Sequence, residues 1–134
     1  MNWKLVALLS LFGLAMGVAT VFVIPSNIEP AFWLAIFVTC AVILARRGVD
    51  KPFLHGLCVS LANCVWVTGS HVLFYDTYLA NHPAEAAMTA TMPLPGRVMM
   101  LVMGPVIGVV SGIVLGLFSW IASKIVKPGA GVQA

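Results

Sequence analysis

The chain has 134 residues and a net charge of +3, and only 8% of it is charged against 61% hydrophobic. A water-soluble domain needs about 25% charged residues to cover its surface, so this composition excludes one. With a mean hydropathy of +1.06, the chain reads as an all-α, polytopic membrane protein. Its apolar runs do not alternate in polarity, which sets aside a β-barrel, and helices satisfy their own backbone groups in lipid.

The first run predicts a helix over residues 3–24, stopped by Pro25. Gly17 and Ala19 would suit a signal-peptidase site. However, only one lysine precedes the run and apolar residues continue to Ile24, so a retained span is expected. A turn over 25–30 follows, and Pro30 falls in the first turn of a second helix, 30–46. That helix ends where Arg46 and Arg47 can extend into headgroups, and Gly48 supplies a stop. Asp50 is expected to cap, and Pro52 to open, a third helix over 52–75. Loops this short make consecutive helices antiparallel neighbours. In the loop 76–96, Asn81-His82-Pro83 precedes good helix formers, which predicts a short interfacial helix with Ala84, Ala87, Met88 and Thr91 on its apolar face. The fourth span, 97–124, is about 42 Å long, more than the hydrocarbon thickness. Pro105 predicts a kink near Gly104. Residues 128–134 read as a flexible tail. The whole chain is one four-helix transmembrane domain.

The charges sort by side. Lys4, Arg46, Arg47, Lys51, Lys124 and Lys127 lie at the N-terminus, the second loop and the C-terminus, leaving Arg97 alone with Glu29, Asp76 and Glu85. The positive-inside rule then places both termini in the cytoplasm of a cell held by its inner or plasma membrane. The basic balance reflects topology and lipid headgroups, with no nucleic-acid partner.

Gly104, Gly108, Gly112 and Gly116 repeat every four residues in the fourth span, making one side-chain-free face. Gly13 and Gly17 in the first span and Gly56 in the third supply matching small positions. Such faces let helix backbones approach closely. They serve either packing within one bundle, or assembly as a homo-oligomer or with a membrane-protein partner.

The third span carries a polar stripe: Gly56, Ser60, Asn63, Cys64, Val67, His71, Tyr75 and Tyr78 fall near one line at 100° per residue. Polar side chains in lipid are costly unless they face a bundle interior or a wet cavity. Ser60, Asn63, His71 and Tyr75 are therefore the candidate lining of a cleft that binds a small solute, or they fix packing by hydrogen bonds. His55 lies on another face near the cytoplasmic end, where headgroups are its expected neighbours. It is about 24 Å along the axis from His71, too far for one haem to bridge.

Cys40, Cys58 and Cys64 all lie in apolar runs, which speaks for packing and not for disulfides. Several methionines cluster after His82, but no three- or four-ligand set is visible, so no metal and no cofactor is expected. No carboxylate lies inside a span, and no nucleophile has a base at hand, so no catalytic residue is assigned and the chain is read as non-enzymatic. The sequence thus points to an oligomeric membrane protein that binds or passes a small solute between the third and fourth spans. The alternative is an accessory subunit of a larger membrane complex, held through the glycine face of the fourth span.

Overall fold

The computed structural model describes residues 1–130, and residues 131–134 of the expected tail lie outside them. All regular structure among the described residues is helical: α1 (Trp3–Phe22), α2 (Glu29–Arg46), α3 (Pro52–Leu73), α4 (Tyr75–Asn81), α5 (Pro83–Ala90) and α6 (Gly96–Ile125). Four of these, α1, α2, α3 and α6, are long and apolar enough to cross a membrane. The chain is a four-helix, multi-pass membrane bundle.

The ends of the helices follow local chemistry. Asn2 caps α1 by accepting from the Leu5 N–H at 3.1 Å. At the other end, the Val23 and Ile24 N–H groups both reach the Ala19 carbonyl at 2.8 Å, which closes the helix two residues before the expected stop. Pro30 sits in the first turn of α2, and Gly48, with φ of 59°, turns the chain out of it. Pro52 opens α3, but Lys51 and not Asp50 occupies the cap position, and no side chain caps that end. Gly129 donates from its N–H to the Arg46 carbonyl at 2.9 Å, so the described start of the expected tail folds back onto the end of α2.

Three further expectations change. The third span stops at Leu73 because Phe74, at φ −105° and ψ 36°, breaks the helix, and Tyr75 begins α4 instead of ending α3. The loop beyond it holds two short helices where one was expected. On α5 the half-buried residues are Glu85, Ala86 and Thr89, while Ala84, Ala87, Met88 and, just past its end, Thr91 are exposed. The side chains of the expected apolar face of α5 are thus largely exposed. In α6, one continuous helix of 30 residues where 28 were expected, Pro105 lies in the interior.

Consecutive spans are not always the main packing partners. The central helix is α3, which packs on α6 along one face and α1 along another, while α2 leans mainly on α6 and barely meets α1. The expectation that short loops would place α1 and α2 side by side fails here, because close approach follows the small residues, which lie on α1, α3 and α6. The apolar core joins Leu5, Val6 and Leu9 of α1, Cys40 and Leu44 of α2, Val59 of α3 and Leu115 of α6. All of these lie toward the end of the bundle that carries Lys4, Arg46, Arg47, Lys51 and Lys124, the basic end. Every buried residue of α2 belongs to its second half, from Cys40 to Ala45. Helix α2 thus converges on the other helices at the basic end and parts from them at the acidic one.

Candidate functional site

The small faces determine where α3 sits. A Cβ at Gly13 would fall 2.7 Å from the Asn63 Cβ, and one at Gly17 would fall 3.0 Å from the Val67 Cα. On the other side, α6 meets α3 through its four glycines: Gly104 against Thr68, Gly108 against Cys64, Gly112 against Leu57 and Gly116 against Phe53. Gly56 returns the contact, with its Cβ position 2.9 Å from the Gly116 Cα. The glycine face of α6 is thereby covered by α3 of the same chain and offers no groove to another helix.

Polar atoms along these seams are mostly paired. The Ser60 and Ser111 hydroxyls are 2.9 Å apart, the Cys64 thiol donates to the Gly104 carbonyl at 2.7 Å, and the Trp66 indole donates to Ser10 at 3.2 Å. The Asn63 Oδ1 accepts from the Gly13 N–H at 3.1 Å. That bond settles which end of the amide is which, and it leaves the Nδ2 donor buried with no acceptor. Asn63 is 2% exposed, and an unsatisfied buried donor of this kind costs about 1–3 kcal/mol.

Where α2 parts from α3 and α6, a cavity of about 830 Å³ opens. Ser60, Asn63, Cys64, Val67 and His71 form its α3 wall, so three of the four residues named from the stripe come together there. Trp33 and Phe37 line the α2 side, and Phe118 closes the deep end, where its ring lies edge-on to Phe37 at 6.4 Å between centroids. Met99, Met100 and Met103 form the α6 side, and Glu85, Met88 and Thr89 of α5 cover the acidic end together with Ser26 and Glu29.

Tyr75 does not join them. The break at Phe74 turns its ring toward Arg97, whose guanidinium lies 5.0 Å from the ring centroid. Tyr78 takes its place, one helical turn further along α4. Its ring stacks at 4.2 Å on His71 and, on its other face, at 4.2 Å on His82. The Thr20 Oγ1 lies 2.8 Å from the Met16 carbonyl and 2.8 Å from His71 Nε2, which ties α1 to the end of α3. His82 donates from Nδ1 to the Tyr78 carbonyl at 2.9 Å, and its buried Nε2 has no partner. Tyr78 was on the stripe by its spacing, but a continuous helix to Tyr75 gave no reason to prefer it.

His55 is corrected outright. It is 2% exposed, with Nδ1 on the Lys51 carbonyl at 2.9 Å and Nε2 accepting from the Asn2 N–H at 2.9 Å. It ties the start of α1 to the start of α3 and does not meet headgroups. No group of three His, Cys, Asp or Glu side chains suited to a metal occurs among the described residues.

Two hydrogen bonds tether the cover of the cavity. Asn81 donates from Nδ2 to the Val21 carbonyl at 2.7 Å, and Ser26 donates to a Glu85 carboxylate oxygen at 2.5 Å. The second bond holds the Glu85 carboxyl below its ordinary range. Glu29 accepts from the Trp33 indole at 3.0 Å, one helical turn away. The arrangement is a mostly apolar chamber with a polar seam on α3 and two carboxylates at one end. Compared with known proteins, the chain matches no family model, no curated protein and no solved structure.

Proposed function

We propose that this chain binds or passes a small solute in the cavity between α2, α3 and α6. The observation that carries the reading is the chamber itself, about 830 Å³ in volume, with Ser60, Asn63, Cys64 and His71 placed along one side of otherwise apolar walls. Chambers of this size and apolar character are where small molecules bind. We further propose that the membrane is the inner or plasma membrane and that the basic end faces the cytoplasm. The segregation of six of the seven Lys and Arg residues supports that orientation. The chamber would then open outward.

The test is intact-mass measurement of the protein released from mild detergent, paired with solute flux in reconstituted vesicles. Wild type is expected to carry a small-molecule adduct. Met103→Trp, which fills the chamber from its α6 side, and His71→Leu should lose the adduct and any flux while keeping helicity and melting temperature. Protein that carries no adduct and supports no flux across a broad panel of solutes would overturn the reading.

A further inference from the structure

We propose that the solute class is the small lipophilic cation: an apolar, aromatic body carrying one positive charge. This deepens the proposed function and rests on it.

Charge comes first. Among the described residues, the only Lys, Arg, Asp or Glu side chains that line the chamber are Glu29 and Glu85, both anionic in kind. No lysine or arginine lines it, and neither carboxylate takes part in a salt bridge among the described residues. The single basic residue at that end, Arg97, is spoken for. It lies 3.5 Å from Asp76 and over the Tyr75 ring. Glu85 receives only a neutral hydroxyl from Ser26 and Glu29 only a neutral indole, so neither carboxylate has a cationic partner among the described residues. An anionic solute would meet two like charges with no counter-cation, and a zwitterion would leave its carboxylate unpaired.

The body of the ligand is specified by the walls. Trp33, Phe37 and Phe118 present aromatic surface, and the methionines opposite are soft and adaptable in shape. Aromatic faces attract cations that have lost water, which reinforces the carboxylates instead of competing with them. Ser60, Asn63 and His71 along the α3 wall give a polar seam that suits a hydrogen-bond acceptor carried on the body. A lipid acyl chain would use the apolar walls but neither the carboxylates nor the amide.

Three probes of similar shape separate these terms: tetraphenylphosphonium (cation), tetraphenylborate (anion) and triphenylphosphine oxide (neutral, with an acceptor oxygen). Each is titrated onto the full chain in nanodiscs of zwitterionic lipid, with protein-free discs subtracted. The cation should bind saturably at one per chain and the borate should not. The double variant Glu29→Gln, Glu85→Gln should weaken the cation at least tenfold and leave the neutral oxide unchanged. Met103→Trp should abolish both. Glu85→Gln alone, at a site outside the spans, guards against a folding defect in the double variant and should give part of the same loss. Equal binding of all three probes, or cation binding unmoved by the Glu→Gln changes, overturns the cation assignment while the chamber still stands as a binding site. If neither cation nor neutral oxide binds saturably, both readings fall. A lipid that stays bound at saturating cation also overturns the assignment.

Discussion

Tyr78 lies between two imidazoles, and its environment writes itself into its ionisation. Burial, then the carboxylates of Glu85 and Glu29, push its phenol up to about 12. In the unfolded chain a tyrosine ionises near 10. The folded state therefore holds its proton longer. Stability from this group is intact below about pH 10 and declines as pH rises from about 10 to about 12, because only the unfolded chain releases the proton there. Ultraviolet difference absorbance of Tyr75→Phe protein, whose remaining tyrosine is Tyr78, should show a midpoint about 12. A midpoint near 10 would place the ring in water. The residue scale is also where the sequence was least legible. Asn63 and His71 were recognisable as polar groups that lipid would not tolerate. That Asn63 spends its oxygen on Gly13 and leaves its nitrogen free depends on the rotation of α1, which no local pattern encodes.

At the scale of elements, α3 is a helix with two small-residue seams. The bounds of the four spans were readable within a few residues because proline, glycine and charge interrupt the apolar runs at Pro25, Pro30, Gly48 and Pro52. The break at Phe74 was not readable, since no glycine or proline marks it. The glycine repeat of α6 was visible as a face, but not its occupant, because a small face suits a helix of the same chain as well as one from another. The geometry makes the difference measurable. A Cβ at Gly108 would lie 2.9 Å from the Cys64 Cβ, so Gly108→Leu must force α6 off α3. The expected cost is about 1–3 kcal/mol, read as a lowered midpoint in detergent-mixture unfolding. Val110→Ala, on the exposed side of α6, should stay within about 0.5 kcal/mol. A Gly108→Leu protein that keeps its midpoint but changes its mass in solution would assign that face to assembly between copies.

For the molecule as a whole, the design is convergence at one end and separation at the other. Charge segregation made the two ends distinguishable from sequence. Which end is tightly packed was not, because α1 is apolar on all sides and gives no phase from which to orient it. Residues that face lipid and residues that face each other have the same composition. The cysteines report the difference. Cys40 is fully buried where the helices meet, while Cys64 is half-buried on the chamber wall. A small methanethiosulfonate reagent, followed by intact-mass analysis of a Cys58→Ser protein, should modify Cys64 at least tenfold faster than Cys40. Both should react equally once the fold is melted in strong detergent. Equal rates in the native protein would mean that the basic end is not closed.

The way α2 is seated has a mechanical corollary. Its second half is gripped, but the stretch from Glu29 to about Ala35, about 10 Å of helix, contains no buried side chain. A tilt of about 5° at the fulcrum moves the far tip by roughly 1 Å. Its travel is restrained through the short link to α1 and the single bond from Ser26 to Glu85. If the proposed solute site holds, substitutions at Cys40 or Leu44, which do not line the chamber, would be expected to alter its width.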